Sequence, residues 1–202
     1  ASLWVAALRE SFEECGVLFA QGGAQGLQWD GLRHEEGAFA DLIHRHELQL
    51  QCEALWPWSR WITPRVPSVT NKRFDTRFFV ARAPAGQQAG HDNVEATESV
   101  WMTPRDALHR YWAGQMEMAP PQIMSLVHLA RFEHVDAVLQ DAAQRGPHLV
   151  EPQPHDDNGT RVICYPGDPR HSVGQQHMPG PTRLRFVNQR FEPDGGLAAF
   201  GV

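Results

Sequence analysis

Three glutamates crowd one short stretch of the chain, and their spacing suits the binding of a divalent cation. Glu10, Glu13 and Glu14 stand at positions i, i+3 and i+4, so that on a helix their side chains follow one face. Carboxylate oxygens are the hard ligands that Mg²⁺ prefers, and Mg²⁺ keeps water molecules while it reaches for a substrate phosphate. The pattern therefore points to metal-assisted phosphate chemistry.

A solvent-exposed acidic helix face is the other interpretation of these residues, with Arg9 and Glu13 as an i,i+4 ion pair. It explains the pattern less well, because Glu10 and Glu14 form a like-charge i,i+4 pair. Glu13 and Glu14 also stand near the helix C-terminus, where the helix dipole disfavours anions. A bound cation would offset both the repulsion between the glutamates and the repulsion from the helix dipole, so the pattern favours a cation site.

The element that must carry the glutamates is a helix predicted over residues 3–15. At about 100° per residue, the side chains opposite the glutamates are apolar, namely Trp4, Leu8, Phe12 and Cys15. Gly16 suits the left-handed position that ends many helices. One face of this helix is thus expected in the core and the other in solvent.

The rest of the chain predicts mixed helices and strands, followed by a turn-rich region that begins at Gly146. The predicted strands are a short one beginning within residues 17–19 and further ones at 58–64, 72–83, 98–104, 160–165 and 182–187. The predicted helices are residues 35–55, 105–114 and about 121–143. We interpret the region from Gly146 onward as a β-rich extension.

Composition excludes several classes of function. A net charge of −6 over 202 residues argues against sequence-independent nucleic-acid binding, which needs clustered Lys and Arg. No apolar run approaches the length of a membrane span, and no signal peptide is evident. Cys15, Cys52 and Cys164 lie far apart and have no metal or redox spacing, which favours a reduced compartment and predicts a cytoplasmic location.

The segment RESFEECGV, residues 9–17, resembles the second half of the Nudix hydrolase signature, which reads Arg-Glu-apolar-any-Glu-Glu-any-Gly-apolar. It matches at every position except Ser11, where an apolar residue is usual. Further motifs occur in the order seen in the Nudix branch that contains the peroxisomal coenzyme A diphosphatase. These motifs are WSRWITP, KRFDTRFF, EATESVWMTP, APPQ and YPGD.

This resemblance implies an α+β fold, a Nudix-type α/β/α sandwich with a mixed sheet, in a domain over residues 1–145 and an extension over 146–202. It implies that Glu13 and Glu14 bind Mg²⁺ or Mn²⁺ and that Glu10 is a further ligand or a base near the metal. Arg9 would brace the loop through an ion pair. Many family members place a fourth carboxylate where Glu95 and Glu98 stand, and Glu98 is the better candidate, although a polar strand edge explains it equally well.

The implied activity is attack of water on a pyrophosphate, which splits a nucleoside diphosphate linked to another moiety, with coenzyme A or its derivatives as the leading substrate. The partner would be this small-molecule nucleotide, with no nucleic acid or membrane involved and with a homodimer as one oligomeric state open to it. The alternative is a catalytically impaired, Nudix-derived domain that binds a nucleotide or a partner without turnover.

The first half of the signature is absent from the chain. A Glu is expected eight residues before Arg9, and Ala1 occupies that position. In this branch a long insertion commonly separates the two halves, so we expect the chain to lack the N-terminal part of the domain. A naturally degenerate site is the alternative.

Three further positions carry minor predictions. Asp75 is expected to pair with Arg73 or Arg77. His171, in a Gly- and Pro-rich loop, is expected at the surface, and residues 166–168 are expected to form a turn.

Overall fold

The computed structural model describes residues 2–23, 29–32, 37–64, 73–90 and 99–202. The chain forms two compact units. The first unit is Ala1–Trp56 with Phe79–Trp101, and the second unit is Pro57–Phe78 with Met102–Val202. Within the described residues, no helix is long and apolar enough to cross a membrane.

The predicted N-terminal helix is confirmed as α1, Ser2–Cys15. Leu8 and Phe12 are buried and pack into two neighbouring apolar clusters of the first unit. Gly16 ends the helix at a φ of 70°, and its N–H donates to the carbonyl of Phe12 over 2.9 Å. The buried apolar face of α1 therefore anchors the helix in the first unit, and the anchoring does not involve the acidic face.

The remaining elements of the first unit differ from the prediction. They are β1 (Ala20–Gly22), α2 (Trp29–Leu32), α3 (Phe39–Arg45), β2 (Leu48–Leu50) and a 3₁₀ turn (Cys52–Ala54). The helix predicted over 35–55 is wrong beyond Arg45, because Glu47 adopts a φ of 50° and the chain turns into β2. β2 pairs antiparallel with β1, which begins three residues after Val17.

A three-stranded sheet contributes to the second unit. β3 (Trp56–Ile62) lies between β4 (Asp75–Val80) and β5 (His148–Val150), and it pairs parallel with β5. Both longer strands lie within strands predicted from the sequence over 58–64 and 72–83, apart from the first two residues of β3. The main core of the second unit packs around buried Trp61, Leu108 and Ile123.

Three helices lie between β4 and β5 in the described part of the chain: α4 (Pro104–Trp112), α5 (Pro120–Leu129) and α6 (Val135–Gln144). The strand predicted over 98–104 is wrong for its described part, because residues 99–103 form no strand, Thr103 caps α4 and Pro104 begins it. The single helix predicted over 121–143 is two helices, because His134 is extended and caps α6 by accepting from the N–H of Ala137.

The β-rich C-terminal region is confirmed as a four-stranded antiparallel sheet in the order β6-β7-β8-β9. Its strands are β6 (Gln153–Asp157), β7 (Thr160–Cys164), β8 (Arg183–Val187) and β9 (Arg190–Glu192), and a 3₁₀ turn (Leu197–Phe200) follows. Helices combined with mixed and antiparallel sheets confirm the α+β class. This sheet belongs to the second compact unit. The predicted division between a domain over residues 1–145 and an extension over 146–202 stays a prediction.

The turn over residues 166–168 forms, and it also holds a buried ion pair. The Asp168 side chain is 0% exposed, and Arg183 donates two hydrogen bonds to its carboxylate, over 2.6 and 2.9 Å. Burial alone raises the pKa of Asp168, but the bonds from Arg183 and from the N–H of Arg170 outweigh it, so the pKa lies below its usual range. Asp168 therefore ties the turn to the start of β8.

The prediction that His171 lies at the surface is wrong. Its side chain is buried and joins two main-chain segments. The N–H of Val173 donates to Nδ1 over 3.0 Å, and Nε2 lies 2.9 Å from the carbonyl oxygen of Glu151. A proton on Nε2 satisfies both contacts.

Candidate active site

The carboxylates predicted to hold a metal lie on the exposed face of α1, opposite Leu8. Glu10 and Glu13 each have 49% of their side chain exposed, and Glu14 is half-buried. The last turn of α1, which contains Glu13 and Glu14, carries no basic residue that would complement the helix dipole. The helix itself thus provides little compensation for its negative charge.

Arg9 contacts two of the three glutamates. Its guanidinium donates a hydrogen bond to Glu10, and its Nε lies 3.6 Å from Oε2 of Glu13. The bond to Glu10, with the negative charge of Glu13, raises the pKa of Arg9. Water screens an ion pair as exposed as this one, so Arg9 orients these carboxylates more than it stabilises the fold.

The donor set fits a hard divalent cation such as Mg²⁺ or Mn²⁺ in ligand chemistry and in helical spacing. Across the described ranges, however, no three His, Cys, Asp or Glu side chains already surround a single point. Glu95 and Glu98, the candidates for a fourth carboxylate, lie outside the described residues. The assignment of Glu10, Glu13, Glu14 and Glu98 therefore stays a prediction.

The chain that leaves α1 is held by a distant segment of the first unit, which the sequence did not indicate. The Gln87 side chain accepts from the N–H of Leu18 and donates to the carbonyl of Leu18, both over 2.8 Å. Gly90 donates its N–H to the carbonyl of Cys15 over 2.9 Å. No local sequence pattern predicts such contacts, because they join residues far apart in the chain.

Asp75 takes part in ion pairs within the second unit. Arg60 donates two hydrogen bonds to its carboxylate, over 2.8 and 2.7 Å, and Arg77 lies 3.3 Å from Oδ1. The expected pairing with Arg77 is confirmed, whereas the stronger partner, Arg60, was missed. The bonds from Arg60 lower the pKa of Asp75, which favours a structural carboxylate over a proton acceptor.

The second unit also contains an open cavity of about 320 Å³. Aromatic and proline side chains dominate its lining, among them Trp61, Phe74 and Phe78, and Arg161 is its one charged lining residue within the described chain. Such a lining suits an apolar group better than a polyphosphate. The carboxylates of α1 are therefore the better candidates for pyrophosphate chemistry.

The family of the chain follows from sequence comparison. A family model of the NUDT19 Nudix domain matches residues 1–129, which include all of α1 through α5. The chain therefore belongs to the Nudix family, in the branch defined by that domain, as the segment RESFEECGV predicted.

Curated relatives include the acyl-coenzyme A diphosphatases NUDT19 of Xenopus laevis and Homo sapiens. The first is 28% identical over 152 residues, 65% of this chain and 40% of the relative, and the second is 29% identical over 146 residues, 63% and 39%. A putative nudix hydrolase 7 of Caenorhabditis elegans is 26% identical over 170 residues, 81% of this chain and 56% of the relative. The chain thus spans between 39% and 56% of the length of these proteins. No solved structure matches it significantly.

Proposed function

We propose that this protein is a Mg²⁺- or Mn²⁺-dependent Nudix hydrolase that cleaves the pyrophosphate of a nucleoside diphosphate linked to another moiety. Coenzyme A and its acyl derivatives are the substrate class that we favour. The observation that carries the proposal is the row of carboxylates at i, i+3 and i+4 on the exposed face of α1, within the segment that the family model matches. The names of the vertebrate relatives, acyl-coenzyme A diphosphatases, support the substrate class.

The residues of α1 divide the work in this proposal. Glu13 and Glu14 hold the ion, and Glu10 is a further ligand or accepts the proton of the attacking water at a carboxylate oxygen. Arg9 holds Glu10 in place through its hydrogen bond. A bound divalent ion neutralises the charge that develops on the pyrophosphate and orients the attacking water.

Hydrolysis would break one P–O bond of the pyrophosphate and leave two phosphomonoesters. The test is a panel of nucleoside diphosphate compounds that includes coenzyme A, an acyl-coenzyme A, ADP-ribose and NAD, each with Mg²⁺, with Mn²⁺ and with a chelator. We expect both phosphomonoesters of coenzyme A compounds to appear with either ion and to be lost with the chelator. Turnover without metal, or no turnover on any compound, would overturn the proposal.

A second candidate function, nucleotide binding without turnover, is favoured by one observation. The Arg9 guanidinium already forms ion pairs with the carboxylates of Glu10 and Glu13. It can therefore compete with a metal ion for these carboxylates. In that case the panel would give no products, while calorimetry would still detect binding of a nucleotide diphosphate.

Compartment and oligomeric state stay predictions. Cys15, Cys52 and Cys164, all within the described residues, form no disulfide, which is compatible with the reduced cytoplasm that we propose. Light scattering would distinguish the monomer from the homodimer.

A further inference from the structure

A single side chain takes the place of a neighbouring strand beside the segment that follows α1. Gln87 bonds both main-chain polar groups of Leu18, accepting from its N–H and donating to its carbonyl, each over 2.8 Å. The two residues are 69 positions apart in the chain. Leu18 is 1% exposed and belongs to no strand in the described part of the chain, so its main-chain groups depend on Gln87 for these hydrogen bonds.

A second contact from the same segment holds the end of the carboxylate helix. The N–H of Gly90 donates over 2.9 Å to the carbonyl of Cys15, the last residue of α1. The last four carbonyls of a helix have no partner within it, so this contact satisfies one of them. Residues 87–90 therefore fasten both the end of α1 and the chain that leaves it.

The last turn of α1 is the part of the helix that most needs such support. Glu13 and Glu14 place negative charge at the C-terminal end, where the helix dipole is also negative. Helix ends fray readily, and a frayed last turn would move both carboxylates away from their helical spacing. The last turn of α1 is held on both sides: the buried Leu8 and Phe12 anchor the helix before it, and the bonds from Gln87 fix Leu18 after it.

We propose that Gln87 is a positioning residue for the metal ligands on α1, an inference that rests on the proposed function. Gln87 does not contact the ion. It fixes Leu18, and through Leu18 the exit of α1, so that Glu13 and Glu14 stay in the arrangement that binds a cation. Groups hydrogen-bonded directly to metal ligands typically contribute about 10- to 100-fold to metal affinity, and Gln87, which bonds the main chain beyond the ligands, should contribute less.

The test compares Gln87→Met, which removes both hydrogen bonds, and Gln87→Glu, which keeps the acceptor and removes the donor. Gln88→Met is the matched control, because Gln88 is the next residue, has the same chemistry and is exposed. The dissociation constant of Mn²⁺ is measured by titration at 10 °C, with folding checked by circular dichroism. We expect Mn²⁺ binding to be roughly 3- to 10-fold weaker in Gln87→Met, weaker to a smaller extent in Gln87→Glu because its added charge attracts the ion, and unchanged in the control.

A melting curve without metal separates positioning from a purely structural role. A lower melting temperature with an unchanged dissociation constant for Mn²⁺ would overturn the inference while leaving the proposed function standing. If Gln87→Met does not fold, the dissociation constant of Gln87→Glu decides. A wild-type protein that binds no Mn²⁺ would refute the metal site and this inference together.

Discussion

Replacing Glu13 or Glu14 with glutamine is expected to lower kcat by roughly two orders of magnitude or more while leaving the protein folded. Glutamine keeps the size of the side chain but removes the charge that a divalent cation requires. The fold does not need that charge, because α1 is anchored by Leu8 and Phe12 on its other face. Both variants are assayed with a coenzyme A substrate over a range of Mn²⁺ concentrations.

Glu53→Gln is the control for these variants. Glu53 is an exposed carboxylate of the same unit, in the 3₁₀ turn Cys52–Ala54, and it lies outside the proposed site. We expect its kcat and its dependence on metal to equal those of the wild type. Wild-type turnover in Glu13→Gln or Glu14→Gln, with normal metal dependence, would show that these carboxylates are not the ligands.

The Asp168→Asn substitution is expected to lower the free energy of unfolding by about 1–3 kcal/mol, the usual cost of leaving a buried polar group without its partner. The carboxylate is fully buried, and both of its oxygens accept hydrogen bonds from Arg183. Asparagine can accept only one of these bonds, and it removes the carboxylate charge that Arg183 contacts directly. Denaturation by urea measures the change.

Asp194→Asn provides the matched comparison for Asp168. Asp194 also pairs with an arginine, Arg185, over 2.7 Å, but its side chain is 56% exposed. An exposed pair contributes about 0–1 kcal/mol, so this variant should unfold almost as the wild type does. Equal effects of the two substitutions would mean that burial does not set the strength of the Asp168 pair.

Local sequence patterns predicted α1, whose apolar residues recur with helical periodicity, and the strands β3 and β4, which are rich in aromatic residues. The acidic face of α1, the burial of Leu8 and Phe12 and the approach of Arg9 to Glu13 follow from helical spacing alone. Cys15, which the same spacing placed on the apolar face, is exposed because it is the last residue of the helix. The contact of Arg9 with Glu10 was not predictable in this way, because adjacent helical residues do not face each other.

The misassigned segments depended on backbone conformation and on distant partners. The chain turns at Glu47, which adopts a positive φ without being glycine, so no turn residue marked the end of α3. β2 exists because it pairs with β1, which lies far earlier in the chain: Ala20 pairs with Leu50 and Gly22 with Leu48. The same holds for Gln87, whose partner Leu18 is 69 positions away. Information of this kind is tertiary and is not contained in a short window of sequence.

Thermal unfolding of the wild type and of Glu14→Gln, each with millimolar Mn²⁺ and with a chelator at equal ionic strength, tests the metal site on α1 most directly. Binding to the folded state alone stabilises by RT ln(1 + [L]/Kd), which is about 1–3 kcal/mol when the ion is well above its Kd. We predict that Mn²⁺ raises the melting temperature of the wild type and not that of Glu14→Gln. Without metal, the variant should melt at the same temperature as the wild type or higher, because a like-charge repulsion has been removed. Equal melting temperatures of the wild type with and without Mn²⁺ would contradict a metal site on this helix.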